Sequence, residues 1–269
     1  MWNTIILEPM VNVLIWIYNL LFHNFGLAII VFTIVIRLIT YPLTAQQLKS
    51  QSKMQELQGS KKWQEIQKKY KDDKQKLSQE QMNIYKEMGI NPLGSCLPLL
   101  IQFPVMIGLY QSISLAMAAA PIQLLNLSRS LYSFIPAAQL IPLNNRFLWL
   151  NLGLPETSNS LFNLPFSLPL IGTAIPILTI IVVVTTYLQS KLMTPPPANP
   201  ADQGAQMSKM MNLYMPLIMG WISLTLSSGL ALYFIVSNIL GIAQYAAMGK
   251  IHWGNLLPKK KITAAKSTK

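Results

Sequence analysis

Acidic residues are scarce in this chain. Nine Asp and Glu stand against 21 Lys and Arg in 269 residues, and charged residues of both signs make up 11%. A soluble domain carries about a quarter. That shortage, with 52% hydrophobic residues and a mean hydropathy of +0.38, excludes an ordinary soluble domain and points to a polytopic membrane protein. Cysteine is limited to Cys96, which excludes an internal disulfide framework and a Cys-rich metal site. Of the two histidines, His23 and His252, neither falls in an expected span or has a metal-type spacing. There is no glycine-rich phosphate loop and no nucleophile elbow. Every Asp and Glu lies in a loop or near the N-terminus, so intramembrane aspartyl catalysis lacks its carboxylates. These absences argue against an enzyme, a metal and a cofactor. The first apolar stretch has no basic n-region and no small-residue cleavage site, so a removable signal is not expected.

What is present is basic charge, placed unevenly. Ten of the 21 Lys and Arg lie between Gln46 and Ile90, two between Lys191 and Lys209, and six after Gly249. Arg129 and Arg146 alone fall between Leu115 and Pro165, and none precedes Arg37. Basic residues therefore occupy alternate loops, which sets the N-terminus outside and the C-terminus in the cytoplasm, across an odd number of spans.

The hydropathy pattern gives five. Residues 1–25 hold "MVNVLIWIYNLLF", too short to span. Asn12 and Asn19 share a face there, and Trp16 and Tyr18 suit the headgroup level, so an external interfacial helix is expected. The spans follow at 26–45, 95–117, 166–190, 209–226 and 230–248. Pro42 is expected to bend the end of the first, and Pro176 to kink the third. Residues 46–90, rich in Lys, Gln and Glu, predict a cytoplasmic hairpin of two helices with Lys71-Asp72-Asp73-Lys74 as the turn. Residues 118–165 form an external segment with one or two surface helices. A Pro-rich cytoplasmic loop, 191–208, and a basic cytoplasmic tail, 249–269, complete the chain. Only 14 mostly apolar residues, Leu213 to Leu226, are available to the fourth span. Either Met-rich 207–212 sits in the membrane or the bilayer is thin there.

Arg37 is the one charge between Gly26 and Thr44. It lies seven residues, roughly 10 Å, from the cytoplasmic end of its span. Insertion scales put such an arginine at about +2.5 to 3.5 kcal/mol, and no intramembrane carboxylate exists to pair with it. Two readings stay open. Arg37 snorkels to lipid phosphate, or it stands in a wet cavity lined by Thr33, Gln102, Gln189, Ser237 and Gln244 and attracts an anionic group. Tyr233, Ser237 and Gln244 share one face of the last helix. The Met207, Met210, Met211, Met215 and Met219 series reads either as packing or as an adaptable apolar surface.

Three stretches resemble the YidC membrane protein insertases, a family that includes mitochondrial and chloroplast members: "TIVIRLITYPLT", "KDDKQKLSQEQMNIYKEMGINPLGSCLPLLIQFPVMIGLYQSI" and "SGLALYFIVSNILGIAQ". The likeness covers roughly residues 26–115 and 165–248. It implies an all-α fold in which five transmembrane helices enclose a hydrophilic groove, open to cytoplasm and lipid and closed outside. The groove arginine matches Arg37, with Thr33 one turn earlier. The last-helix aromatic pair matches Tyr233 and Phe234, and the third-span glutamine matches Gln189. The hairpin would receive substrates through Met54, Met82, Tyr85 and Met88. The additional N-terminal span, the large periplasmic domain and the long ribosome-binding tail of some members have no counterpart in these 269 residues.

The expected function is an ATP-independent insertase and chaperone in a bacterial cell membrane. Its implied partners are nascent membrane proteins, the Sec translocon, membrane lipids and, more weakly, the ribosome and signal recognition components, with no small-molecule substrate. A secondary transporter or channel binding an anion at Arg37 would instead show two related halves with interrupted helices. A scaffold would not need the Arg37 charge.

Overall fold

The structure, a computed structural model, describes residues 1–70, 73–89, 97–117, 121–133, 135, 143–158, 162–168, 172–194 and 203–255. They are mostly helical, as expected. The first long elements are α1, Glu8–Leu20, and α2, Phe25–Ile39. A π-helical turn, Asn3–Leu7, leads into α1. Phe22 and His23 both have left-handed φ, 52° and 59°, which breaks the helix between α1 and α2.

α1 buries one face in the bundle. Val11, Leu14, Ile15 and Ile17 recur at helical spacing and are at most 3% exposed, because α1 packs on α2 and on α6, Leu97–Ala116. Trp16 faces outward, but Tyr18 is in the core, its hydroxyl accepting the Asn144 N–H at 2.9 Å. Asn12 and Asn19 part company. Asn19 is exposed, whereas Asn12 is buried and clamps the 130–132 backbone, donating to the Ser130 carbonyl (2.8 Å) and accepting from the Tyr132 N–H (2.7 Å).

α2 is shorter than the 26–45 span. Asn24 starts it by accepting the Leu27 N–H at 3.1 Å. It ends at Ile39, and α3, Tyr41–Gly59, leaves at 55° with Pro42 in its first turn. A proline has no N–H to give and disfavours helix in the residue before it, so the expected bend at Pro42 takes the form of a break between two helices.

The hairpin region has three helices, not two. Ser60 interrupts it in an extended conformation and caps α4, Lys61–Lys69, by accepting the Trp63 N–H at 3.3 Å. Asp73, in the expected turn, caps α5, Lys74–Glu87, through the Lys76 N–H at 3.0 Å. Leu57, Trp63 and Ile84 form a small core of their own, apart from that of the bundle, and Lys62 bonds Glu87 at 2.6 Å across the opening.

Beyond α6 come α7, Pro121–Ser130, and two antiparallel pairs: β1 (Arg146–Phe147) with β2 (Leu150–Asn151), and β3 (Asn163–Leu168) with β4 (Gly172–Ala174). The third helix of the expected set therefore starts later than residue 166. It is α8, Ile177–Met193, and Pro176 marks its start, not a kink within it. α9, Gln203–Thr225, runs unbroken through 207–212 and contains Pro216. α10 is Ser228–Ala247. Each of the five expected spans thus overlaps a helix: α2, α6, α8, α9 and α10. Among the described residues α10 by itself is long and apolar enough to cross a membrane, and α2 with α3 qualifies as a bent pair.

α10 is the axis of the bundle, packing on α8, α2 and α6, while α9 lies on α8. Its residues Ser228 to Phe234 are all buried. At the other end the chain returns to α8: the His252 N–H donates to the Leu192 carbonyl, and the Asn255 side chain donates to the carbonyls of Lys191 and Thr194 (3.1 and 2.8 Å). The loop 195–202 and the tail from 256 lie outside the described residues.

Candidate functional site

Arg37 stands in the last turn of α2, where a cation complements the helix dipole. Its side chain turns into the bundle. Nη2 donates to both the carbonyl (2.7 Å) and the hydroxyl (2.6 Å) of Ser237 on α10. A helix carbonyl has a second lone pair for such a bond. In the reverse direction, Gln244 donates to the Arg37 carbonyl at 3.1 Å. Between the two lies Gly241. A Cβ there would stand 2.7 Å from Gln189 Nε2 and 3.4 Å from Arg37 Nη2. The bare backbone lets the α8 glutamine and the α2 arginine approach the same turn of α10. Tyr233 and Tyr245, both buried, are within electrostatic reach of the guanidinium. Among the described residues the ion pairs are Lys62–Glu87 and Lys76–Asp73, both on the hairpin, so none answers Arg37.

The family model of the 60Kd inner membrane protein matches residues 16–253. The chain belongs to this family. A relative from Syntrophobacter fumaroxidans, named membrane protein insertase YidC, is 33% identical over 245 residues, 90% of this chain and 37% of the relative. A relative of the same name from Chlorobaculum tepidum is 36% identical over 226 residues, 84% of this chain and 32% of its own. The chain spans about a third of the length of these curated relatives. A crystal structure of an active YidC insertase with its first transmembrane domain resolved matches with a TM-score of 0.56 at 26% identity, covering 90% of this chain and 46% of that one. The resemblance read from the three sequence stretches is thereby shown.

In this member of the 60Kd inner membrane protein family, the fold brings Arg37, Gln189, Ser237 and Gln244 to one place. Thr33 is buried one turn away, with its hydroxyl committed to the Ile29 carbonyl at 2.6 Å. Phe234 is packed in the core with its ring 5.7 Å from that of Tyr233. The Gln102 side chain lies outside the described residues. Sequence reading missed Gly241 and Asn238. The first has a visible signal, a residue without a side chain one turn beyond Ser237 on the same face. Asn238 donates to Thr185 and Thr186 (3.1 and 2.9 Å) and fastens α10 to α8. α8 meets α9 through polar pairs too, Thr179 with Ser223 at 3.2 Å and Ser190 and Thr194 with Asn212. Such pairs hold helices together where no water competes.

The hairpin residues do not form one face. Met54 and Tyr85 pack on the Leu57–Trp63–Ile84 core, whereas Met82 and Met88 are exposed. Periodicity alone could not separate the two sets. Among the described residues no group of three His, Cys, Asp or Glu could hold a metal.

Proposed function

We propose that this chain is a membrane protein insertase and chaperone in which α2, α8 and α10 wall a cationic groove open to the cytoplasm and the lipid. α2, α6, α8, α9 and α10 cross the membrane, with the N-terminus outside and the C-terminus in the cytoplasm. The observation that carries the reading is Arg37, an arginine in the last turn of an apolar helix, turned into the bundle and held by a carbonyl and a hydroxyl, with no carboxylate partner among the described residues. An acidic, hydrophilic segment of a nascent membrane protein would supply the missing opposite charge. Its apolar helix would pass along the exposed apolar faces of α2 and α9, such as Leu38, Leu217 and Trp221, into lipid. Burial of that helix drives the process, and Arg37 lowers the barrier for the polar segment without nucleotide. The 15 residues of α2 and the 17 of α8 make about 22 and 26 Å of helix. Both fall short of a ~30 Å core, whereas the 20, 23 and 20 residues of α6, α9 and α10 reach it, so any thinning and shorter polar crossing is local to α2 and α8. Cooperation with the Sec translocon, and contact of the hairpin with the ribosome or signal recognition components, belong to the same proposal.

The test places a photo-crosslinking residue at Gln189, and in a second chain at Leu38. Ribosome-stalled nascent chains with one apolar helix and a short acidic tail are then presented in membranes. Crosslinks from both positions are expected, and Arg37→Glu should weaken the Gln189 crosslink at least tenfold. No crosslink from either position, with a small anion bound in an Arg37-dependent way, would replace the insertase with a transporter.

A further inference from the structure

The external segment between α7 and β3 touches α2, α6, α8 and α10. On α2, the Phe147 ring lies against Gly26, where a Cβ would be 2.1 Å from Cγ of the ring. On α10, whose N-cap Ser227 makes no side-chain cap bond, the Ser228 N–H and hydroxyl both donate to the Leu154 carbonyl (2.8 Å each), and the Gly229 N–H donates to the Leu152 carbonyl (3.0 Å). On α6, a Cβ at Gly153 would be 2.9 Å from Cβ of Met117, just past the end of the helix. On α8, Pro176 at the N-cap has no side-chain acceptor, and the cap comes from 22 residues earlier. The Glu156 carboxylate accepts the Leu178 N–H at 2.8 Å and the Thr179 N–H at 3.2 Å. Leu150, Leu152 and Glu156 are at most 2% exposed. One segment thus closes the same end of four helices.

Glu156 is the unusual member. It is a buried carboxylate with no ion pair among the described residues. The helix N–H groups that it accepts would otherwise need water or another acceptor. Without Glu156 the contacts to α2, α6 and α10 remain, but the end of α8 is uncapped and can part from the segment.

We propose that residues 143–158 form the outer seal of the groove and that Glu156 is its latch, a positioning residue that holds α8 against the seal through two backbone N–H groups. The proposal rests on the groove reading above and goes beyond it by naming the barrier and the residue that fastens it. The latch works by accepting hydrogen bonds, and a neutral amide of the same shape keeps one acceptor oxygen. Glu156→Gln should therefore hold and Glu156→Ala should release.

The test uses the full chain in proteoliposomes, with Cys96→Ser removing its one cysteine. A reporter, Ser223→Cys, is near-isosteric and buried on α9 against Thr179, one of the two residues whose N–H Glu156 accepts. A second reporter, Gln189→Cys, stands by the arginine site. A membrane-impermeant thiol reagent is added from one side at a time. With Glu156 intact, or as Gln, the Ser223→Cys thiol should resist reagent from outside. With Glu156→Ala it should react at least tenfold faster from outside, while Gln189→Cys reacts unchanged from the cytoplasmic side. Outside labelling that does not rise in Glu156→Ala, with Gln189→Cys still reached from within, overturns the latch and leaves the groove standing. A Gln189→Cys thiol unreachable from the cytoplasmic side overturns the groove itself. If Glu156→Ala does not accumulate in the membrane, Glu156→Gln decides: outside labelling equal to that of the parent supports the latch, and a rise of tenfold overturns acceptance by a neutral oxygen as its basis.

Discussion

Replacing Gly26 by alanine tests the packing of the outer seal directly. The added Cβ would lie 2.1, 2.2 and 2.7 Å from three ring atoms of Phe147, where carbon atoms prefer about 3.5–4.0 Å. The helix cannot retreat, because its neighbours Phe25 and Ala28 are fully buried. The ring must leave. Full burial of a phenylalanine is worth about 1.5–3 kcal/mol, and Phe147 is largely buried, so the loss is about 2 kcal/mol. The better helix propensity of alanine returns at most about 1 kcal/mol. Gly26→Ala should therefore destabilise by about 1–2 kcal/mol. In a Phe147→Ala background the same methyl enters the space left by the ring and should stabilise by up to ~1 kcal/mol. The sign reverses, which makes the pair strongly non-additive. Thermal unfolding of the four chains in lipid nanodiscs measures this. An equal loss from Gly26→Ala in both backgrounds would show that Phe147 does not rest on Gly26.

Gly241→Ala should behave in the opposite way, because the nearest obstacle is the far end of Gln189. Stability should change by less than ~1 kcal/mol, while a crosslinker at Gln189 loses client contact as that side chain is pushed off α10. Trp63→Ala should cost about 3–5 kcal/mol, but confined to the hairpin, whose core is separate from that of the bundle. Faster proteolysis between residues 41 and 87 with an unchanged bundle melting temperature is the expected result. Burial pushes the Glu156 carboxyl above its usual range, against the Leu178, Thr179 and Ile177 N–H groups that pull it down. The unfolded chain then releases this proton first, so folded stability falls as pH rises from the ordinary carboxylate value through the raised one. Melting temperatures followed upward from the ordinary carboxylate value should show that slope, and Glu156→Gln should lack it.

Much of the architecture is legible in local patterns. The positions of α2, α6, α8, α9 and α10 follow from apolar runs, and that of α5 from composition after the 71–74 turn, whereas the break at Ser60 that separates α3 from α4 is missed. Arg37 stands out because a charge in such a run has to be answered somewhere. The boundaries were less legible. Pro42 does mark a bend, of 55°, but Pro176, expected to kink a helix, opens one, because a proline at a helix start loses no hydrogen bond and only the surrounding backbone shows which side it belongs to. The hairpin methionines and Tyr85 all fit one period, and only packing separates Met54 and Tyr85 within from Met82 and Met88 without.

By itself the sequence determined the helical membrane character, the uneven placement of basic charge and the isolation of Arg37, since hydropathy and charge are properties of residues and their order. Tertiary structure decided what answers Arg37. Ser237 lies 200 residues away, and its role depends on α10 presenting Ser237, Gly241 and Gln244 to α2 together. It likewise decided that Glu156 caps α8 and that Phe147 covers Gly26. Those contacts join segments far apart in the chain, and no local periodicity records which distant backbone a side chain will meet.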